Sequence, residues 1–330
     1  MTDEPRVTVC IPTYDRTRWL ARAIESVLAQ TFTGFRLEIH DDATPGPGVR
    51  DVVASFDDPR IVLVEHERNA GIVGNFTRSL LAADTDYVIQ LGDDDEACPE
   101  LLAATVAALD RHQGAGMVHA RFDLIGPEGE LLEADAAWIG PRGHPPVEPG
   151  REFIRRAMGE RGRVNASTTL LRRSAVPEGG FLQEDFPPFD FACWMRIAMD
   201  WDIAFVDQTL CRYRVHTQSH SAGVSEYRGA GYVPGIETLR GIQGARRRQI
   251  ARTADESERR VLKRLARQGY RRELLEAIRD ATLPERSRWA TLNGLTAAVR
   301  AEPTLLADGA AWRTLAASLA GRRLAGRARR

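Results

Sequence analysis

Lysine is almost missing from this chain of 330 residues: Lys263 stands alone, and every other positive charge is arginine. A Gly-rich phosphate loop that ends in lysine is therefore excluded from everything before that position. Cysteine is scarce as well. Cys10, Cys98, Cys193 and Cys211 are scattered without metal-site spacing, which excludes zinc ribbons and CxxC redox motifs. Cys10 and Cys193 fall in apolar segments and read as core residues, in keeping with a reducing cytoplasm. No stretch approaches the roughly eighteen uninterrupted apolar residues of a membrane-spanning helix. The acidic start, MTDEP, runs directly into a strand pattern, so no signal peptide is expected. There is no internal repeat, which removes solenoids and propellers.

What is present is ordinary in bulk and uneven in distribution. The apolar share of 43% and charged share of 28% suit a soluble globular protein, and the length suits two domains. The net charge of −1 hides an asymmetry: residues 240–330 hold 22 basic against 9 acidic residues, and the remainder holds 23 against 37. The basic end reads first as a solvated helical bundle. A second reading places residues 312–330, with Trp312, Leu315, Leu319 and Leu324 among arginines, on an anionic membrane surface. Nucleic-acid binding ranks last, because aromatic interleaving is sparse.

Strand and helix patterns alternate through the first third. Residues 7–11, 37–40, 61–64, 87–91 and 117–120 are short apolar, β-rich runs. Between them lie helical patterns, the clearest being Trp19, Leu20, Ala23, Ile24, Val27 and Leu28 at three- and four-residue spacing. Further helices are expected over 49–56, 74–83 and 100–111. This alternation predicts an α/β fold with a mostly parallel, Rossmann-like sheet flanked by helices. Beyond residue 120 the rhythm changes. A hairpin is expected over 124–131, a Pro/Gly-rich loop over 140–150, β structure at 167–171 and 203–206, and a helix over 190–199. From about residue 235 the pattern is helical and arginine-rich. The expected division is 1–120, 121–235 and 236–330.

Four polar sites fall at the ends of expected strands, where ligands of open α/β sheets bind. Pro12 and Tyr14 follow the first; the tyrosine either stacks on a base or is a plain surface residue. Asp41 and Asp42 follow the second, as hydrogen-bond acceptors for a nucleoside or as an Asx-turn. The third is NAGIVGN (residues 69–75), a glycine-containing helix entry whose N–H groups suit anions. The fourth is Asp93-Asp94-Asp95. Three adjacent carboxylates repel one another and need compensation, for which a hard divalent cation such as Mg²⁺ or Mn²⁺ is the usual solution. The bland alternative is a solvated acidic loop, or a cap for the helix beginning near Pro99.

Taken in order, VTVCIPTYDR, SVLAQTF, EIHDDAT, NAGIVGN, YVIQLGDDDEACPELL, FDFACWMRIA and CRYRVHTQSHS resemble the family 2 glycosyltransferases over roughly residues 5–222. That resemblance implies the GT-A fold with a C-terminal helical extension. It also implies inverting transfer of a sugar from a nucleoside-diphosphate donor (UDP, dTDP or GDP) to a hydroxyl of a saccharide, lipid-linked or small-molecule acceptor. Carried over by position, Pro12, Tyr14 and Asp42 would hold the nucleobase. Asp94 would be the principal metal ligand, and Asp93 would lie beside ribose and metal, with Asp95 as a neighbour. His216 would approach metal and diphosphate, and Arg214 would pair with phosphate. Asp190, at the start of a helix, reads from its position as an N-cap; the resemblance makes it the general base, with Glu184 and Asp185 as runners-up. Two positions depart from the family pattern. Gly92 stands where an Asp-any-Asp triplet has its first aspartate, and Phe76-Thr77 replace an Arg-Asn pair, leaving Asn75 or Arg78 to make that base or phosphate contact. Rival expectations are a metal-dependent nucleotidyltransferase and an inactive nucleotide-sugar binder.

Overall fold

The computed structural model describes residues 4–135, 145–159, 164–186, 189–219, 225–228, 231–234 and 236–281. The membrane-surface expectation for 312–330, and residues 140–144 of the 140–150 loop, lie outside them. No helix among the described residues is long and apolar enough to cross a membrane.

The first unit runs from Met1 to His216. Its sheet opens with the expected alternation: β1 (Val7–Thr13), α1 (Leu20–Leu28), β2 (Phe35–Asp41), α2 (Gly48–Ala54), β3 (Ile61–Glu65), α3 (Gly71–Ala82) and β4 (Tyr87–Gln90). Leu20, Ala23, Ile24 and Val27 form the buried stripe of α1, each large member stabilising the fold by about 1.5–3 kcal/mol. The strands lie in the order β3-β2-β1-β4 and all pair in parallel.

β1 continues past Pro12 to Thr13, further than the apolar run suggested. Its pairing with β4 ends at Cys10↔Gln90, while its pairing with β2 continues to Thr13↔Asp41. A proline without an N–H is tolerated where one neighbouring strand has already ended. Beyond Cys10, β1 is therefore paired on its β2 side alone.

Past β4 come β5 (Glu96–Ala97), α4 (Leu101–Arg111), β6 (Ala115–Ile125), β7 (Leu131–Glu133), β8 (Val147–Glu148), α5 (Gly150–Gly159), β9 (Leu170–Arg172), α6 (Phe189–Ile197) and β10 (Asp202–Arg214). β9 is antiparallel to both β4 and β6, β10 is parallel to β6, and β5 closes the far side antiparallel to β10. The sheet is therefore mixed, with a parallel N-terminal part. β6 carries the chain across residue 120 without a break, so the two expected halves share one sheet. The expected hairpin is present as β6 and β7.

The second unit begins at Thr217. It contains the hairpin β11 (Ser225–Arg228) and β12 (Gly231–Pro234), then α7 (Ile236–Arg252) and α8 (Glu256–Ala281). Leu239, Ile242, Ala245, Leu262 and Ala266 are buried there. Arg246 donates twice to Glu273, at 3.0 Å each, in a buried fork between the two helices.

Candidate active site

The acidic turn follows β4. Leu91 N–H still donates to the Cys10 carbonyl at 2.9 Å, after which the chain leaves the sheet. Asp93 and Asp95 are buried, and each carboxylate of the turn has its own partners. Asp93 accepts the Thr13 hydroxyl at 2.8 Å and lies 3.3 Å from Arg16 Nη2. Asp94 Oδ2 accepts from the same Arg16 nitrogen and faces His216 Nε2 at 2.9 Å. Asp95 accepts the Ser167 hydroxyl at 2.5 Å and the Arg214 backbone N–H at 2.9 Å.

Burial and the Asp94 charge push Asp93 up to about 7, against the pull of Arg16 and Thr13. The same two causes push Asp95 up to about 8. For Asp94 burial acts upward too, but His216 and Arg16 together hold it below the usual carboxylate range. Asp94 is thus the most acidic of the three, with a cation and an imidazole on one oxygen.

Gly92 has a local reason. A Cβ there would lie 2.9 Å from Asp94 Oδ1 and 2.9 Å from Asp95 Oδ2. A side chain at 92 would therefore press on the tips of both carboxylates and shift them from these positions. The acidic cluster occupies positions 93–95.

His216 follows β10 and packs against Trp19, with ring centroids 4.1 Å apart. Trp19 is fixed in turn by its Nε1–H, which donates to the Pro127 carbonyl at 2.9 Å. Arg214 is placed differently from expectation. Its side chain is fully buried, and its donors go to the carbonyls of Asp94 (2.8 Å), Gly126 (2.9 Å) and Pro127 (3.2 Å) and to Glu96. With these partners it braces the acidic turn from within and presents no face to a phosphate.

At the end of β1, Pro12 is buried and Tyr14 is 43% exposed just beyond it. Asp41 makes the Asx-turn, accepting Thr44 N–H at 3.1 Å. Asp42 is buried; it accepts Ala70 N–H at 2.9 and 3.1 Å and lies 3.4 Å from Arg78 Nη1. It thus ties the end of β2 to the start of α3. Gly71 begins that helix at φ 72°, a conformation that favours glycine. Asn75 is buried, its amide donating to the carbonyls of His40 (2.9 Å) and Thr13 (3.3 Å). It therefore sets the spacing of β1 and β2 at their ends, while Arg78, one turn on, is 40% exposed.

Asp190 is half-buried in the first turn of α6, its Oδ1 accepting Phe191 N–H at 2.7 Å. Phe189 packs edge-on against Phe76 of α3 at 5.4 Å. Since Asn75 precedes Phe76 and touches Thr13, which touches Asp93, contiguous contacts link the base candidate to the acidic turn. Of the runners-up, Asp185 is buried and Glu184 exposed, both in a short 3₁₀ turn over Gln183–Asp185.

Sequence reading passed over Thr13, Arg16, Trp19 and Ser167. Only Arg16 left a signal, an unmatched cation inside the first motif. A tighter group of possible ligand atoms, Cys10, Glu38 and His40 within 4.8 Å, lies buried in the sheet. There Glu38 is taken up by Arg36 (2.8 Å) and His40 (3.0 Å), and burial pushes the Cys10 thiol well up. The acidic turn, at the strand ends, is the better seat for substrate chemistry.

The chain is 31% identical over 140 residues to the putative glycosyltransferase EpsE of Bacillus subtilis, covering 40% of this chain and 49% of that one. It is 30% identical over 108 residues to the putative colanic acid biosynthesis glycosyl transferase WcaA of Escherichia coli, covering 32% and 39%. The chain thus matches less than half the length of these two relatives. Among solved structures it resembles the mannosyltransferase PcManGT of Pyrobaculum calidifontis in complex with GDP-Man and Mn²⁺ (TM-score 0.57, 18% identity, 97% of this chain and 86% of that one). It also resembles S. aureus TarS 1-349 in complex with UDP-GlcNAc (TM-score 0.56, 14% identity, 90% and 81%). These likenesses establish the GT-A fold. The family model for glycosyl transferase family 2 matches residues 8–176, and the chain belongs to that family.

Proposed function

We propose that this protein transfers a sugar from a nucleoside-diphosphate sugar to an acceptor hydroxyl, with inversion and with a divalent cation. One observation carries the reading. Oxygens of Asp93 and Asp94 converge on a single cationic nitrogen, Arg16 Nη2, with His216 Nε2 on the same Asp94 oxygen. Two carboxylates that converge on positive charge, with an imidazole on one of them, fit Mn²⁺ well and Mg²⁺ less well. Asp93, Asp94 and His216 would hold the metal, which when bound supplies Lewis-acid stabilisation of the charge that builds on the departing diphosphate.

The remaining roles belong to the chain itself. Pro12 and Tyr14 receive the nucleobase, Tyr14 through its exposed ring. Asp42 and Asn75 shape that pocket by fixing α3 against β1 and β2. Asp95, Ser167 and Arg214 keep the acidic turn in register. Asp190 takes the proton from the acceptor hydroxyl as it attacks the anomeric carbon opposite the leaving group. Two relatives support a role in surface polysaccharide or related glycan assembly, since WcaA is described by colanic acid biosynthesis and another, of Rhizobium meliloti, by succinoglycan biosynthesis. A lipid-linked acceptor would suit the basic C-terminal residues, with the protein at the inner face of the membrane.

The test is release of nucleoside diphosphate from UDP-, GDP- and dTDP-sugars with and without Mn²⁺. Metal-dependent release with one donor, lost in Asp94→Asn, is the expected result. Pyrophosphate release would identify a nucleotidyltransferase instead, and binding without turnover would identify an inactive binder.

A further inference from the structure

Arg16 stands where the cation of the proposed reaction belongs. Its Nη2 donates to Asp94 Oδ2, the oxygen that also faces His216 Nε2 at 2.9 Å, and lies 3.3 Å from Asp93 Oδ1. A small divalent ion sits about 2.0–2.2 Å from its oxygen ligands. An ion sharing these two oxygens would need the space that Nη2 fills, and two cations do not occupy one seat. Guanidinium and metal are alternatives.

The present pose also leaves Arg16 incompletely satisfied. Its Nε is buried with no hydrogen-bond acceptor among the described residues, and an unmet buried donor is costly. A guanidinium is a planar fork of donors that suits phosphate oxygens as well as carboxylates. Arg16 lies in the turn after β1, two residues beyond the exposed Tyr14, where Asp15 takes φ 51°. The arginine is thus on the segment that would meet the donor nucleotide and is partly open to it.

We propose that Arg16 is a resident counter-ion. It neutralises Asp93 and Asp94 while the seat lacks a metal, and it passes to the donor's diphosphate when metal and donor enter together. This rests on the reading of the acidic turn as a metal seat. The consequence is positive coupling. Metal alone must drive Arg16 out to where no anion meets it, and diphosphate alone finds its arginine engaged elsewhere; each ligand removes the other's obstacle. Binding in company would restrict the loaded seat to complexes that also hold a nucleotide.

The experiment is Mn²⁺ titration followed by the EPR signal of the free ion, on the full chain. Wild type, Arg16→Met and Arg16→Lys are compared, with the metal alone and then with UDP, GDP or dTDP. The expected result is that Arg16→Met binds Mn²⁺ alone about tenfold more tightly than wild type, and that nucleotide strengthens metal binding in wild type by a similar factor and much less in Arg16→Met. Arg16→Lys keeps the charge and stays near wild type; if the methionine variant does not fold, Arg16→Gln, which also removes the charge, takes its place. Equal nucleotide-free affinity in wild type and Arg16→Met, with metal binding intact, overturns the counter-ion role and leaves the metal seat standing. A lysine variant as tight as the methionine variant traces the effect to packing and also overturns it. No Mn²⁺ binding in any variant, with or without nucleotide, removes the seat itself.

Discussion

The backbone N–H of Arg214 donates to Asp95 Oδ1 at 2.9 Å, and its Nε donates to the Asp94 carbonyl at 2.8 Å. The end of β10 and the acidic turn after β4 are therefore one mechanical unit, although 120 residues separate Arg214 from Asp94. Replacing Arg214 with Gln strips Glu96 and three carbonyls of the fully buried guanidinium that pairs them. The expected cost is about 3–5 kcal/mol of folding stability, the usual loss when one member of a buried ion pair is removed. Urea denaturation measures it. A variant of wild-type stability that has lost only donor affinity would instead place Arg214 against the phosphate.

Gly92 gives a second prediction. Because a Cβ would lie 2.9 Å from oxygens of both Asp94 and Asp95, Gly92→Ala should cost about 1–3 kcal/mol, as overpacking does, and weaken Mn²⁺ binding. Gly92→Asp should weaken it further, despite restoring the family's more usual residue. Tighter metal binding in Gly92→Asp would mean that the turn opens to accept a fourth carboxylate.

A pH dependence follows from the histidine pair at the end of β2. Burial, the neighbouring His40 and Arg78 hold His66 below the ordinary histidine value, against the opposing pull of Asp42 and Asp41. The unfolded chain therefore takes up a proton first as pH falls. This contribution to stability is complete above about pH 6.5 and is lost as pH falls through that value towards the folded one. Glu38, held down chiefly by its bond to His40 and also by Arg36, titrates below that window. The melting temperature of wild type should fall more between pH 7.5 and 5.5 than that of His66→Gln, to be read by calorimetry at roughly those two values. Parallel profiles would assign the acid sensitivity elsewhere.

Asp190 separates chemistry from binding. Asp190→Asn retains the acceptor for Phe191 N–H and loses the base. Turnover should fall by roughly 10²–10⁴-fold, the usual range for general-base catalysis, with donor affinity close to wild type in calorimetric titration. Undiminished turnover would move the base to Glu184 or Asp185.

The parallel half of the fold was legible because each strand and helix there carries its own periodicity. β10 was read as only four residues, 203–206, because Asp207 and Gln208 are exposed and interrupt the apolar run. The strand continues beyond them through shifts in register against β6. β5, two residues long, exists only through its pairing with β10, and no local pattern announces that. The site divides in the same way. Asp93, Asp94 and His216 were brought forward by motif; His216 meets Asp94 at one oxygen, and Asp93 joins them through Arg16 Nη2. Thr13, Arg16 and Ser167 reach the acids across 72 to 80 positions of sequence, and composition cannot indicate such contacts. Arg214 was legible as a residue of consequence, but its burial was not: an arginine after a strand looks the same whether it faces phosphate or a carbonyl.

The central claim is that Asp93, Asp94 and His216 seat a cation against the donor's diphosphate. Anomalous diffraction at the manganese edge, from crystals grown with Mn²⁺ and the nucleotide that the protein binds, tests it most directly. A manganese peak bonded to Asp94 and His216, with diphosphate oxygens completing its coordination, is the result expected. Nucleotide bound at the strand ends with no metal there, and with Arg16 still lodged between Asp93 and Asp94, would contradict it.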